Sequence, residues 1–251
     1  MNSESVQLND IEMYYEIEGS GEPLLLLHGG TGCHENWAHA GGDQFVREYT
    51  VIKPDARGHG RTSNPQKTIT HRQCALDTLA LLDHLGIRKC RAIGLSMGGN
   101  ILLHMATLAP ERIEAMVAVS ATMYFPEQVR AIMRQIPLAG EQTPEAWDAM
   151  RKSHKLGDEQ VTALWDWTRD MKDSYDDMNF TPSCLARIKA FTLIVYGDRD
   201  PLYPVEMALA MYRAIPRSAL WVVPNGGHGP VFFDAAVQFA QTALAFLRTS
   251  A

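Results

Sequence analysis

The sequence predicts an α/β protein with a mostly parallel, right-handed, doubly wound sheet and one inserted helical segment. Three observations carry this prediction: six apolar runs too continuous for strands exposed on one face, helical patterns between them, and one interval without a strand-like run. The runs are Leu24–Leu27, Tyr49–Ile52, Cys90–Leu95, Ile113–Val119, Phe191–Tyr196 and Leu220–Val223. Such runs are typical of strands that helices cover on both faces, and their alternation with helices indicates right-handed βαβ crossovers.

The chain opens with a pattern of a different period. In Ile11–Glu18 (IEMYYEIE) four apolar side chains fall at alternate positions, which predicts a strand with one buried face. Asn9-Asp10 precedes this strand and favours a turn from a short strand at Val6–Leu8. The glycines of Gly19-Ser20-Gly21 end this opening unit.

Helical patterns fill three of the intervals between the apolar runs, and a fourth follows the last run. The predicted helices are Thr70–Leu85, Ser96–Ala109, Val205–Ile215 and Phe232–Arg248. The second stops at Pro110 and the third at Pro216, because proline cannot continue a helix.

Residues 122–187 interrupt the alternation, and we predict a helical cap inserted into a core formed by residues 1–121 and 188–251. Short helices are expected after Pro126, at Thr143-Pro144, near Asp158 and at Thr181-Pro182; threonine before proline is a helix-start signal. The interval is rich in Met and aromatic residues, which form either the cap's own core or an apolar pocket. They are Met123, Tyr124, Phe125, Met133, Trp147, Met150, Trp165, Trp167, Met171, Tyr175, Met178 and Phe180. Four aspartates near its end resemble a solvated acidic face more than a metal site, namely Asp170, Asp173, Asp176 and Asp177.

Length and composition limit the classes of function. The 251 residues are 46% hydrophobic and 21% charged, as in ordinary globular proteins. The formal net charge of −6 argues against a nucleic-acid partner or an anionic membrane surface, and no apolar stretch is long enough to span a membrane. Four scattered cysteines form no Cys-x-x-Cys pair, and the first ten residues contain no apolar signal segment. We therefore expect a cytoplasmic protein, and the sequence leaves open whether it forms a homo-oligomer.

One short motif has the form of a nucleophile turn. Gly94-Leu95-Ser96-Met97-Gly98 follows a buried-strand run and precedes a helical pattern. A sharp strand-to-helix turn needs small residues two before and two after the serine, because larger side chains would collide there. Such a turn exposes the Ser96 hydroxyl and directs the Met97 N–H toward the same space. An ordinary glycine-rich turn with a capping serine is the alternative.

A second glycine-rich turn follows the first apolar run. His28-Gly29-Gly30 leaves backbone N–H groups that no side chain blocks. The Gly30 N–H can pair with the Met97 N–H to hold a developing oxyanion. A flexible loop is the alternative.

Two further candidate groups follow the last two apolar runs. Gly197-Asp198-Arg199-Asp200 supplies carboxylates that can orient an imidazole, and the glycines around His228 let a loop bring its ring inward. A lone histidine is usually structural, but the order Ser…Asp…His at successive strand ends favours one catalytic site.

These segments together resemble the α/β-hydrolase family, in particular the compact bacterial serine esterases and enol-lactonases. The matching pieces are LLLLHGG, the segment 55–63 (DARGHGRTS), GLSMGG, YGDRDPLYP and NGGHGP, and they cover nearly the whole chain. The resemblance implies Ser96 as nucleophile, His228 as general base and Asp200, rather than Asp198, as the acid. It also implies that residues 55–63 form a structural turn stiffened by an Asp–Arg pair. No metal or organic cofactor is required.

The predicted activity is hydrolysis of a small-to-medium hydrophobic carboxylic ester, with lactones included, through an acyl-enzyme on Ser96. The small-molecule ester is the expected partner. The same residues also serve perhydrolysis, thioester cleavage or cleavage of a carbon–carbon bond, and a ligand-sensing protein with slow turnover is the alternative from a different class. Epoxide hydrolases and haloalkane dehalogenases of this fold carry aspartate at the nucleophile position, so Ser96 argues against both.

Overall fold

Eight strands form a single sheet in the computed structural model, which describes residues 2–249. The strands are β1 (Asn2–Leu8), β2 (Ile11–Gly19), β3 (Pro23–Leu27), β4 (Thr50–Pro54), β5 (Cys90–Leu95), β6 (Ile113–Val119), β7 (Phe191–Gly197) and β8 (Ser218–Val223). Their order is β1-β2-β4-β3-β5-β6-β7-β8. β2 pairs antiparallel with β1 and with β4, and every other pairing is parallel. The predicted α/β class with a mostly parallel sheet is confirmed.

Nine α-helices connect or flank these strands within the described residues. They are α1 (Gly42–Phe45), α2 (His71–His84), α3 (Met97–Leu108), α4 (Glu127–Arg134), α5 (Pro144–Ser153), α6 (Asp158–Asp170), α7 (Pro182–Leu185), α8 (Val205–Ala214) and α9 (Ala236–Thr249). Short 3-10 turns occur at His34–Ala40, Ala139–Glu141, Met171–Asp173 and Phe233–Ala235. None of the helices in residues 2–249 combines the length and apolar character that crossing a membrane requires.

The apolar runs are continuous because each inner strand is buried on both faces. In β3, Leu25 and Leu27 join the core under α2 and α3, whereas Leu24 and Leu26 join the core under α9. Successive side chains of a strand point to opposite faces, so each of the two core layers takes alternate residues.

Parallel pairing brings the carboxyl ends of the inner strands to one edge of the sheet. In the pairing register, Leu27 lies opposite Gly94, Leu95 opposite Val119 and Val119 opposite Val195. Gly197 of β7 lies opposite Val223 of β8. The residues that follow β3, β5, β6, β7 and β8 are therefore neighbours, although the chain separates them widely.

The segment between β6 and β7, residues 120–190, contains α4 to α7. Arg130 holds it together, because its guanidinium donates hydrogen bonds to the carbonyls of Phe125 at 3.0 Å, Lys172 at 2.5 Å and Ser174 at 2.8 Å. The helices begin where the sequence predicted them: the Thr143 and Thr181 side chains cap α5 and α7. That this segment forms a separate cap domain stays a prediction.

Arg57, in the turn at residues 55–63, pairs with two aspartates that lie outside this turn. The guanidinium of Arg57, only 2% exposed, bonds to Asp77 of α2 at 2.8 Å and to Asp10 of the β1–β2 turn at 2.6 Å. Asp55 instead accepts hydrogen bonds from the His34 and Arg61 backbone N–H groups. Arg57 therefore ties three segments of the core together.

Candidate active site

Ser96 occupies a strained turn between β5 and α3. Its φ of 50° is rare for a residue with a side chain. A Cβ added to Gly98 would lie 2.1 Å from the Leu27 carbonyl oxygen, and one added to Gly94 would lie 2.4 Å from the Gly98 carbonyl carbon. Glycine is therefore required at both positions, as the motif predicted.

The Ser96, His228 and Asp200 side chains are brought together at the carboxyl edge of the sheet. The Ser96 Oγ lies 2.9 Å from the His228 Nε2, and the His228 Nδ1 lies 2.8 Å from the Asp200 Oδ2. The three groups form one chain of hydrogen bonds from the hydroxyl to the carboxylate.

The surroundings of the two candidate carboxylates differ. The Asp200 side chain is fully buried, and its Oδ1 accepts hydrogen bonds from the backbone N–H groups of Leu202 at 2.8 Å and Tyr203 at 3.1 Å. Burial raises the pKa of Asp200, but the hydrogen bond and charge of His228 outweigh burial and hold this pKa below its usual range. Asp198 is exposed, and it is Asp200 that contacts the imidazole.

The loop that carries His228 is held from two sides. The Gly229 N–H donates to the Ser120 Oγ at 3.1 Å, and the Tyr203 ring meets the His228 ring edge to face with centroids 5.4 Å apart. Ser120 is fully buried and has a φ of 47°. Sequence reasoning missed Ser120, although its position directly after β6 at the same sheet edge was a usable signal.

The Gly29-Gly30 turn is fixed by the buried histidine before it. The His28 Nδ1 donates to the Gly29 carbonyl at 2.8 Å, and its Nε2 accepts from the Ala56 N–H at 3.0 Å. Burial lowers the pKa of His28, so the ring is neutral and fits this donor–acceptor pattern. A Cβ built on Gly30 would lie 3.9 Å from the Met97 Cβ, so the two predicted oxyanion-hole residues are adjacent. Met97 opens α3, and its N–H has no partner inside the helix.

A cavity of about 280 Å³ lies over Ser96 and His228, and its upper wall is apolar. None of the described residues that line it is Asp, Glu, Lys or Arg. The apolar wall comes from α4 and α6 and the turns after them: Val129, Ile132, Met133, Ile136, Trp167 and Met171. Of the predicted Met and aromatic set, Met133, Trp167 and Met171 line this cavity, and Met123, Phe125, Met178 and Phe180 are buried in the core under α2 and α3.

Asp177 was predicted to lie on a solvated acidic face, but in the structure it is bonded to a histidine of the core. Its carboxylate accepts hydrogen bonds from the His71 Nδ1 at 2.6 Å and from the His71 backbone N–H at 2.7 Å, at the start of α2. The His71 Nε2 lies 3.3 Å from the Asn100 Nδ2, and Asn100 belongs to α3. Burial raises the pKa of Asp177, but the hydrogen bonds and charge of His71 hold this pKa below its usual range. Asp177 therefore docks residues 120–190 onto the core, while Asp170, Asp173 and Asp176 are exposed.

Cys33, His34 and Asp55 place a thiol, an imidazole and a carboxylate within 4.8 Å of one another. The Asp55 carboxylate already accepts three hydrogen bonds, from the His34 backbone and ring and from the Arg61 backbone. Burial raises the pKa of the Cys33 thiol to about 11, so the sulfur is protonated at neutral pH. This group fits a structural role better than a metal site.

Residues 24–242 match the alpha/beta hydrolase family, and the chain belongs to that family. The match extends from β3 to α9 and so includes every segment that meets at Ser96. This confirms the resemblance seen in the sequence.

Three relatives indicate the range of proteins to which the chain is similar. The 2-hydroxy-6-oxo-6-phenylhexa-2,4-dienoate hydrolase of Burkholderia cepacia is 25% identical, in an alignment that covers 88% of this chain and 86% of that one. A meta-cleavage product hydrolase from Pseudomonas fluorescens superposes with a TM-score of 0.82 at 20% identity over 99% of this chain and 98% of the other. A thermophilic esterase from Thermogutta terrifontis gives 0.76 at 24% identity over 100% and 99%. The structural likenesses show the fold alone, and the comparisons together support hydrolase activity.

Proposed function

We propose that the protein hydrolyses uncharged carboxylic esters, lactones included, through an acyl-enzyme on Ser96. The observation that carries the proposal is the chain of hydrogen bonds from the Ser96 Oγ through His228 to Asp200, at 2.9 and 2.8 Å, beneath an apolar cavity. A hydroxyl becomes a nucleophile when a neighbouring base takes its proton, and this arrangement supplies that base.

In the proposed cycle Asp200 accepts the Nδ1–H of His228, which leaves the Nε2 lone pair to accept the Ser96 proton. The Ser96 oxygen attacks the ester carbonyl carbon, and the imidazolium then protonates the departing alcohol. Water deprotonated by His228 attacks the acyl-enzyme, and the proton returns to the Ser96 oxygen as the acid leaves. Asp200 stays ionised throughout and stabilises the imidazolium.

Gly30 and Met97 are proposed to hold the tetrahedral oxyanion through their N–H groups. Two features support this assignment: their adjacency beside Ser96, and the free first-turn N–H of α3. Each such donor contributes roughly 3–4 kcal/mol to transition-state stabilisation.

The cavity wall favours an uncharged substrate. A dienoate such as the one named for the Burkholderia relative carries a carboxylate, and no Arg or Lys stands among the described residues that line this cavity. An apolar wall without a cation leaves such a charge unpaired, which is costly. The lining therefore supports a neutral ester.

Hydrolysis of p-nitrophenyl butyrate by the wild type and by Ser96→Ala tests the proposal. We expect the substitution to lower kcat/KM by about 10⁴-fold or more, because it removes the attacking atom. Ser183→Ala is the matched control, since this exposed serine lies on α7 outside the cavity, and it should retain wild-type activity. Full activity of Ser96→Ala, or wild-type turnover far below the typical rate of about 10 s⁻¹ together with tight ligand binding, would contradict it and favour a sensing protein.

A further inference from the structure

A second cavity lies beside the one over Ser96. It has a volume of about 330 Å³, and its walls are the loop of residues 58–69 on one side and the first half of α6 on the other. Its lining is mainly apolar, and the two charged residues at its rim, Lys67 and Glu159, pair with each other at 2.5 Å. None of the groups in the proposed mechanism lines it.

One face of α6 runs along both cavities. Gln160, Ala163 and Leu164 line the second cavity, and Trp167 and Thr168 line the active-site cavity. These positions recur at intervals of three and four, so they share one side of the helix. Trp167 follows Ala163 by four positions, a rise of about 6 Å. The two cavities therefore follow one another along the helix.

Trp167 stands at the boundary between the cavities. A Cβ built on Gly30 would lie 3.6 Å from the Trp167 Cη2 and Cζ3 atoms, so the indole packs on the Gly29-Gly30 turn. The same indole meets the His59 ring edge to face, with centroids 5.5 Å apart. His59 directly follows Gly58, which lines the second cavity. The indole thus lines the active-site cavity and packs against His59, whose chain neighbour Gly58 lines the second cavity.

His59 adds an unused hydrogen-bond acceptor behind the indole. The ring is fully buried, its Nδ1 donates to the Arg57 carbonyl at 2.9 Å, and burial holds its pKa well below the usual value. The Nε2 of this neutral ring is therefore an acceptor, and it has no hydrogen-bond partner within the described part of the chain. A buried acceptor without a partner is unfavourable, so the packing behind the indole is not optimal.

We propose that Trp167 sets the length of ester that the site accepts, by separating the active-site cavity from a second apolar compartment along α6. The compartment takes the distal, uncharged end of a longer substrate once the indole is displaced or removed. This inference rests on the proposed ester hydrolysis, and it adds a specificity-determining residue and a second binding region.

The test compares p-nitrophenyl acetate, butyrate, octanoate and decanoate as substrates of the wild type and of Trp167→Ala. We expect the ratio of kcat/KM for decanoate to that for acetate to rise by about tenfold or more in the variant, mainly through a lower KM for decanoate, since each added methylene becomes buried. Trp147→Ala is the matched control. This residue packs on Trp165 and lines neither cavity, so its ratio should equal the wild-type ratio.

A second substitution shows whether the added length enters the second cavity. Ala163→Trp in the Trp167→Ala background fills that cavity, and we expect it to abolish the gain for decanoate. An unchanged chain-length ratio in Trp167→Ala would overturn the inference, and so would a gain that survives Ala163→Trp.

Binding of 2-dodecanone, an uncharged ketone that cannot be hydrolysed, separates this inference from the proposed function. Calorimetry should give a Kd about tenfold lower for Trp167→Ala than for the wild type. If no ester is hydrolysed, the proposed function fails while this binding difference still decides whether the second cavity is used. If esters are hydrolysed but the chain-length ratio and Kd do not change, only the present inference fails.

Discussion

Asp200 and Asp198 lie two residues apart but in different surroundings, which allows a sharp comparison. Asp200 is buried and bonded to His228, whereas Asp198 is exposed. Asp200→Asn should lower kcat for p-nitrophenyl butyrate by about 10⁴-fold, because the amide no longer favours the imidazole tautomer that the mechanism needs. Asp198→Asn should stay within about twofold of the wild type, as surface substitutions usually do. A larger loss in Asp198→Asn than in Asp200→Asn would reverse the assignment.

The residues that the sequence predicted at the site differ from those it did not predict in the local sequence around them. Ser96, Asp200 and His228 each follow an apolar run in a glycine-containing turn, so the topology of parallel strands was enough to bring them together. Ser120 directly follows an apolar run but lies in no glycine-containing turn, and Asp177 follows no such run. Asp177 looked like one of several solvated aspartates, and only its contact with His71 in the folded chain distinguishes it. Side chains defined by tertiary contacts alone are not visible in one sequence.

At the scale of elements, a buried histidine at the end of α5 connects this helix to two loops of the core. The His154 Nδ1 accepts from the Gly60 N–H at 2.9 Å, and its Nε2 donates to the Thr31 carbonyl at 3.1 Å. The first bond needs the neutral ring, because a protonated Nδ1 cannot accept a hydrogen bond. Burial lowers the pKa of His154 to about 4. Protonation therefore opposes the contact between α5 and the two loops below it.

This histidine should make stability depend on pH. Unfolded His154 binds a proton near the ordinary histidine pKa of about 6.5, whereas the folded residue does so only near 4. The contribution of His154 to the free energy of unfolding is therefore largest above pH 6.5. This contribution falls as pH decreases, by about 2 kcal/mol between pH 7 and pH 5. Urea unfolding at the two pH values should show a fall about 2 kcal/mol smaller in His154→Gln than in the wild type. Equal falls in both proteins would contradict this account.

The elements themselves were largely predictable because their patterns are strong. All the apolar runs became strands, and proline ended the predicted helices at 110 and 216 as expected. The last helix starts at Ala236 rather than at the predicted Phe232, because Phe233 has a φ of 54° and opens a 3-10 turn. The 3-10 turn at His34–Ala40 and the four-residue α1 were not predicted, since elements this short show no periodicity.

At the scale of the whole molecule, Arg57 connects the β1–β2 turn, the 55–63 turn and α2. Arg57→Met should lower the free energy of unfolding by about 3–5 kcal/mol, because it leaves the fully buried carboxylate of Asp77 without its cation. Urea unfolding measures the loss. Arg88→Met, at an exposed position, should change it by less than about 0.5 kcal/mol.

A double variant separates the charge effect from lost packing. Asp77→Asn added to Arg57→Met should recover part of the stability, because it removes the uncompensated charge. If the double variant is no more stable than Arg57→Met, the unpaired carboxylate is not the cause of the loss.

The burial of α3 limits where substitutions can change the substrate without disturbing the fold. Residues Met97 to Thr107 of this helix are all buried, so substitutions near the reacting hydroxyl disturb the sheet beneath it. The apolar side chains of α4 and α6 that cover the hydroxyl lie on the far side of the cavity. Substitutions in these covering side chains can therefore change which substrate fits the cavity, while the residues of α3 and the sheet beneath it stay the same.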